Sequence, residues 1–283
     1  MKISGTELAK KLYSDIERKV NKLEKNGIVP KMVIVKSSNA ADVNNYIKQK
    51  VNKGNKLGIA VELMDCDEKI LKNSGKIREQ VFTINRSPQI HGIIFQKPGD
   101  SRITGNIEKM IDPLKDIDGF LPDSAHEPPT YRGVKLVLRQ IYKNNFPAKF
   151  KQLKFAIIGK GKTGGSPIIQ GLLKNKISPR NIKIIDSTTG NQEKKTYIGK
   201  ADVVISAVGK PDPIDYHYFS DRTSLIDIGV HFNKENKIKG DFAEVDIREK
   251  VKNYTTTPGG IGALTVAFLM DNIVNAAYKL NNL

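Results

Sequence analysis

Residues 153–174, LKFAIIGKGKTGGSPIIQGLLK, constrain the fold of this chain more than any other stretch. Four apolar residues, Phe155 to Ile158, run into a cluster of glycines, Gly159, Gly161, Gly164 and Gly165, and an amphipathic segment leaves it from Ser166. The pattern predicts a strand, a tight turn and a helix. Glycines there let a phosphate approach the backbone closely while the first helix amides point at it, which suits a dinucleotide pyrophosphate. Ser166 is expected to cap the helix, and Pro167 to fill its first position, where a missing amide hydrogen costs nothing. By itself a GxGxxG turn is unspecific. A second apolar run, Asn181 to Ile185, ends on Asp186. This is about 20 residues further on, where an acid can meet a ribose hydroxyl. An aspartate at a strand end is also an ordinary turn residue.

The rest of the chain alternates in the same way. Ser4 and Glu7 form a capping-box pattern ahead of an apolar stripe, Leu8, Leu12, Ile16, Val20 and Leu23, at helical spacing. Strands are predicted at Lys31 to Val35, Ala60 to Met64 and Ile90 to Phe95, the last with Gln96 at its carboxyl end. Helices are predicted over 40–57, 68–85, 104–111 and 132–142. Tyr46 and Lys50 lie four apart on one of them and so share a face; the plain reading of such a pair is a surface tyrosine shielding a lysine stem. Beyond a polar stretch, Lys143 to Lys149, further strands are expected at 202–207, 224–228 and 254–257. Gly209-Lys210-Pro211 and Asp227-Ile228-Gly229 fall at strand ends, where backbone amides could face a cofactor. Pro258-Gly259-Gly260-Ile261-Gly262 is a second glycine-rich turn opening a last helix, Ala263 to Leu280. Repeated alternation of this kind implies a two-domain α/β protein with mostly parallel sheets. The expected division is residues 1–143, 144–262 and a final helical segment, 263–283.

Composition narrows the classes. No apolar run approaches the ~20 residues needed to span a bilayer, and the N-terminus has no secretory pattern, so a cytoplasmic address is expected. Cys66 is the only cysteine, and His91, His126, His217 and His231 lack ligand spacing, so no metal is expected. The formal net charge of +17 invites a nucleic-acid reading. The lysines are spread over nearly every helical stretch, however, and no nucleic-acid-binding signature accompanies them, so solvated helix faces account for most of the charge.

Five segments in order, Tyr46 to Lys50, Gly92 to Gln96, Lys115 to Phe120, the turn from Gly159 to Pro167, and Pro258 to Gly262 followed by Leu264-Thr265-Val266, resemble the bifunctional methylenetetrahydrofolate dehydrogenase/cyclohydrolase family. The resemblance implies an N-terminal folate-binding domain, a Rossmann domain for NADP or NAD, and a C-terminal helix that returns to the first domain. It implies folate substrates, polyglutamylated forms included, and a homodimer; from composition, neither membrane nor specific nucleic acid is expected as a partner. Lys50 then matches the family's general acid/base, Gln96 the residue that orients it, and Tyr46 a ring packed on the folate. Asp118 matches an acceptor for the pterin edge, and Pro258, Gly259 and Gly260 match substrate-binding positions. On the cofactor side Gly159, Lys160 and Gly161 match the phosphate turn, with Gly164 and Gly165 completing it. Ser187 matches the segment after the second strand, and Val230 the residue beside the nicotinamide.

The sequence departs from the family in places. NADP-using relatives usually lack an acid where Asp186 stands, and a carboxylate favours a ribose hydroxyl over a 2′-phosphate, which points to NAD; Lys160, Lys162, Lys194 or Lys195 could still host the phosphate. Gln96-Lys97-Pro98-Gly99-Asp100, His91 and Pro128-Pro129-Thr130-Tyr131 also differ from the family pattern, and the loop between Phe120 and Pro128 is shorter. Two other readings fit the residues. One is a different two-domain nicotinamide dehydrogenase, of the shikimate-dehydrogenase sort, and the other a basic nucleotide- or nucleic-acid-binding protein without catalysis.

Overall fold

The computed structural model describes residues 1–36, 41–66, 74–96 and 108–283. Two compact units result, neither of them continuous in sequence: residues 11–129 with 266–283, and residues 1–10 with 130–265.

In the first of these units α1 (Gly5–Glu24) is followed by β1 (Lys31–Lys36), α2 (Ala41–Lys56), β2 (Ala60–Asp65), α3 (Ser74–Arg86) and β3 (Gly92–Gln96). The three strands form a parallel sheet with β1 in the centre. Successive side chains of a strand point to opposite faces, so β1 divides its apolar residues between two cores. Val33 and Val35 pack with Ile77, Val81 and Ile84 of α3. Met32 and Ile34 pack with Ile16, Val20 and Leu23 of α1, Val43 and Ile47 of α2, and Leu269, Met270, Ile273 and Val274 of the last helix. A central parallel strand covered on both faces needs such a continuous apolar run. Of the stripe read from the sequence for α1, Ile16, Val20 and Leu23 are buried, while Leu8 and Leu12 are half-buried. Helices α1 and α2 are each followed by a glycine with positive φ, Gly27 at 74° and Gly58 at 73°, as a left-handed C-terminal cap requires. The predicted helices over 68–85 and 104–111 fall partly outside the described residues.

In the second unit α4 (Pro129–Tyr142) and the short α5 (Phe146–Phe150) lead into β4 (Phe155–Ile158), α6 (Gly165–Lys174), β5 (Ile182–Ile185), α7 (Asn191–Gly199), β6 (Val203–Ser206) and β7 (Ser224–Asp227). A two-stranded antiparallel pair, β8 (His231–Phe232) with β9 (Ile238–Lys239), then α8 (Glu244–Ile247) and β10 (Asn253–Tyr254) complete it. The main sheet is parallel, in the order β10-β7-β6-β4-β5. Residues 1–3 extend it beyond β10: the Ile3 amide donates to the Tyr254 carbonyl at 2.8 Å, and Lys2 bridges Tyr254 in parallel.

Three expectations are corrected. Residues 143–150, polar in composition, are helical, and Phe146 and Phe150 are buried, the latter with its ring 6.3 Å edge-on from Phe155. Helix α6 starts at Gly165 with Gly164 as its N-cap, so Ser166 lies inside the first turn and donates to the Lys160 carbonyl at 3.3 Å rather than capping. The last helix, α9 (Ile261–Leu280), is long and apolar enough to cross a membrane, with 67% of its most apolar window buried. Leu269, Ile273 and Val274 are 1% exposed or less, and each such side chain contributes ~1.5–3 kcal/mol on burial, so the helix reads as a core element.

Candidate active site

Helix α2 has one turn that carries both Tyr46 and Lys50, and β3 ends on Gln96. These elements are held together by β1, and they place the Lys50 Nζ 2.8 Å from the Gln96 Oε1, where the ammonium donates to the amide oxygen. The two residues are 46 positions apart in sequence, so only the fold brings them together. Lys50 is half-buried. Burial pushes its pKa below the ordinary lysine value, and the negative charge of Asp118 partly opposes that shift. A shift in that direction favours the free amine more than exposure to water would. Tyr46 lies one turn earlier with 37% of its surface exposed.

Asp118 reaches this site on a segment whose other charges serve the backbone. Lys115 is 3% exposed and donates to the carbonyls of Ile84 (2.9 Å), Asn85 (2.8 Å) and Ser87 (2.7 Å), closing the end of α3. Asp116 accepts from the amides of Gly119 at 3.1 Å and Leu121 at 2.8 Å. The Ile93 amide donates to the Lys115 carbonyl at 2.9 Å, so the segment runs on as a sheet edge beside β3. A Cβ on Gly92 would lie 2.7 Å from Ile117 and 2.8 Å from Ile273, which is why a glycine opens β3.

Two departures from the family pattern turn out to be packing features. His91 is 3% exposed, its Nδ1 accepts the Lys31 amide at 3.1 Å, and burial with the Lys115 charge lowers its pKa. Tyr131 is fully buried, and its ring lies against Gly171 of α6. Residues 97–100 lie outside the described residues.

The second group of candidate residues belongs to the other unit. Gly159 has φ +89°, and a Cβ there would meet the Ala207 carbonyl oxygen at 2.8 Å; a Cβ on Gly165 would lie 1.9 Å from the Gly159 oxygen. These glycines, with Gly164 against Ala207 at 3.0 Å, let the turn close on β6 and on the helix start. Gly161 differs. A Cβ on it would meet nothing within 4 Å, leaving open space over the turn ahead of a 10-residue helix. That combination fits a pyrophosphate. Asp186 follows β5 and pairs with Lys160 at 2.7 Å, while its other oxygen accepts from the Thr188 amide (2.9 Å) and hydroxyl (2.6 Å). Those donors, the lysine foremost, hold its carboxyl well below the usual range. Ser187 beside it is exposed, and Val230 is half-buried. Pro258, Gly259 and Gly260 form the turn before α9, after a cis Thr257–Pro258 peptide, and the Thr6 amide donates to the Gly259 carbonyl at 3.1 Å.

The amides after β6 and β7 do not face outward, as their strand-end position suggested. Val208, Gly209 and Lys210 donate to Asp241, and Gly229 to Asp227. Asp241 was not singled out in the sequence. Its one signal is that Gly240-Asp241 follows a short strand and mirrors Asp227-Ile228-Gly229.

Residues 3–118 match the model of the tetrahydrofolate dehydrogenase/cyclohydrolase catalytic domain, and residues 128–281 that of the NAD(P)-binding domain of the same proteins. The chain belongs to the tetrahydrofolate dehydrogenase/cyclohydrolase family. A bifunctional protein FolD of Rickettsia canadensis is 32% identical over 286 residues, covering 97% of this chain and 95% of the relative. The fold is that of the bifunctional FolD enzyme of Campylobacter jejuni (TM-score 0.87, 24% identity, 100% and 99% of the two chains). It is also that of the Trypanosoma brucei FolD enzyme solved with NADP and an inhibitor (TM-score 0.85, 21% identity, 99% and 97%). As in other members of the family, one segment corresponds to the catalytic domain and another to the NAD(P)-binding domain.

Proposed function

We propose that this protein oxidises 5,10-methylenetetrahydrofolate to the 5,10-methenyl compound with NAD or NADP, and hydrolyses that cation to 10-formyltetrahydrofolate. The family match supports the pair of reactions, and the Lys50–Gln96 contact carries the assignment of the hydrolytic chemistry. Neither alternative reading is favoured by these matches.

The nicotinamide ring, when bound, supplies the hydride acceptor for the first reaction. The protein's part is to orient the folate and, in the second reaction, to move protons. Lys50 as the free amine takes a proton from the water that adds to the methenyl carbon. The resulting ammonium returns that proton to the ring nitrogen as its carbon–nitrogen bond breaks, the carbinol hydroxyl releases its own proton to solvent as its oxygen becomes the carbonyl, and the formyl group is left on the other nitrogen. Gln96 holds the amine in place through its Oε1. Tyr46 packs on the folate, and Asp118 accepts from the pterin edge. Pro258, Gly259 and Gly260 bind the substrate from their own turn.

On the cofactor side Gly159, Lys160, Gly161, Gly164 and Gly165 cradle the pyrophosphate, and Ser187, Gly209 and Val230 line the rest of the dinucleotide. Asp186 accepts from a ribose hydroxyl and favours NAD. Its partnership with Lys160 supports that preference, because one of the lysines that could meet a 2′-phosphate is already paired with a carboxylate. We further propose a cytoplasmic homodimer that accepts polyglutamylated folates.

The test is to mix the purified protein with methylenetetrahydrofolate and NAD or NADP, following reduced cofactor and methenyl absorbance together. Reduced cofactor without lasting methenyl accumulation is expected. No signal with either cofactor, and no hydrolysis of methenyltetrahydrofolate offered directly, would overturn the proposal.

A further inference from the structure

Near the strand ends of the NAD(P)-binding unit lie two carboxylates that the mechanism above leaves unused. Asp227 ends β7 and Asp241 follows β9, and each is 1% exposed. Asp241 accepts four donors. Its Oδ2 takes the Val208 amide at 2.9 Å and the Ser206 hydroxyl, and its Oδ1 takes the amides of Gly209 at 2.8 Å and Lys210 at 3.2 Å. Three successive amides converging on one anion form a filled backbone nest. Asp227 treats the next loop similarly, accepting Gly229 at 3.1 Å, Asp241 at 3.2 Å and Phe242 at 3.2 Å. Glycine makes room for each carboxylate: a Cβ on Gly229 would lie 1.9 Å from the Asp241 Oδ1, and one on Gly240 2.2 Å from the Asp227 Oδ2. Asp227 thus fixes the loop that carries Asp241, and Asp241 fixes the turn over 207–210 through its last three amides.

That turn touches both the glycine turn after β4 and the residue assigned to the nicotinamide side. Its first residue, Ala207, lies against Gly159 and Gly164, at 2.8 and 3.0 Å from where their Cβ atoms would be. Gly209, with φ +71°, lies against the carbonyl oxygen of Val230, 3.1 Å from its own Cβ position. We propose that Asp241 is a positioning residue for hydride transfer, holding the turn over 207–210 so that the glycine turn at Gly159 and the nicotinamide-side residue Val230 keep their spacing. This rests on the function proposed above, which seats the pyrophosphate at one end of the segment and the nicotinamide at the other. Asp241 itself touches neither. The reacting atoms of a hydride transfer must approach to ~3–3.5 Å, and a misplacement of 1 Å can cost ~10²-fold in rate.

Asp241→Asn keeps the side chain's size but, whichever way its amide lies, turns a nitrogen toward two of the four donors. The full-length variant is assayed for dehydrogenase kcat, for hydrolysis of methenyltetrahydrofolate, which uses no cofactor, and for binding of NAD and NADP by equilibrium titration. The expected result is a dehydrogenase kcat lowered at least tenfold, hydrolysis within twofold of wild type, and a cofactor Kd raised severalfold. Ser206→Ala removes one donor of the four and shifts the same quantities less; it carries the test if Asp241→Asn does not fold. A parallel fall of both activities, or an unchanged dehydrogenase, overturns the positioning role. If the wild-type chain lacks dehydrogenase activity, it is the proposed function that fails. The positioning role is then decided by cofactor Kd alone, which must still rise in the variants.

Discussion

Replacing Lys50 with methionine removes the proton-exchanging atom while keeping nearly the length of the side chain. The wild-type Nζ is half-buried and 2.8 Å from the Gln96 Oε1, a geometry in which a general acid/base contributes ~10²–10⁴-fold, or about 2.7–5.5 kcal/mol of barrier. Hydrolysis of methenyltetrahydrofolate, read as loss of methenyl absorbance, is therefore expected to fall by ~10²–10⁴-fold, close to the spontaneous rate. Stability should change little, because the lost hydrogen bond from a charged group, ~1.5–3 kcal/mol, is offset by removal of a charge that burial disfavours. Hydride transfer needs no proton from Lys50 and should retain the larger share of its rate. Lys50→Arg separates charge from proton exchange, since a guanidinium stays protonated, and should lose hydrolysis as methionine does. Gln96→Glu tests the tuning: a carboxylate at hydrogen-bond distance stabilises the ammonium, so the alkaline-rising limb of the hydrolysis profile should move to higher pH. Hydrolysis by Lys50→Met at the wild-type rate would refute the role given to Lys50.

Asp186→Ala frees Lys160 from its 2.7 Å partner and should raise the ratio of kcat/KM for NADP over NAD; adding Lys160→Met should cancel most of the gain, and an unchanged ratio removes the pair from cofactor choice. Gly171→Ala places a Cβ 2.3–2.5 Å from the Tyr131 ring; overpacking of this kind costs ~1–3 kcal/mol, so the melting temperature should drop by several degrees, and an unshifted melt means that the ring gives way. Burial and the Asp241 charge push the Asp227 carboxyl from 3.8 up to about 7. The native state then binds a proton that the unfolded chain releases, so stability falls as pH rises from ~4 to ~7, by up to ~4 kcal/mol, and levels off above. Melts across this range should slope less in Asp227→Asn, and identical slopes would exclude the carboxyl as their source.

Local pattern and ligand chemistry were legible to different depths. The strand, turn and helix around Gly159 could be read directly, because their apolar periods and glycines act within a few residues of one another. Lys50 and Gln96 could not be paired from spacing, since β1 and the packing of α2 bring them together; only the family motifs pointed to them. The glycines after β6 and β7 were legible as special, but not the partners that crowd them, because Val230, which lies against Gly209, and Asp241, which lies against Gly229, come from elsewhere in the chain. Ser166 shows the same limit at short range: its cap position depended on where the helix begins, and Gly164 took it. His91 and Tyr131 stood out as departures from a family pattern, but their burial makes them core residues.

The division of the chain bears on how it is made. The unit containing Lys50 draws its last helical segment from residues 266–283, and Leu269, Met270, Ile273 and Val274 fill the core beneath β1. On the ribosome the sheet β2-β1-β3 and its flanking helices emerge early, yet that core stays open until residues 266–283 have been made. The NAD(P)-binding unit has the opposite schedule, with residues 1–3 waiting for β10 before they can join its sheet edge. A nascent chain therefore exposes an apolar face of this first unit's sheet throughout synthesis of the other unit, and a chain truncated ahead of residue 266 would leave that face uncovered for good.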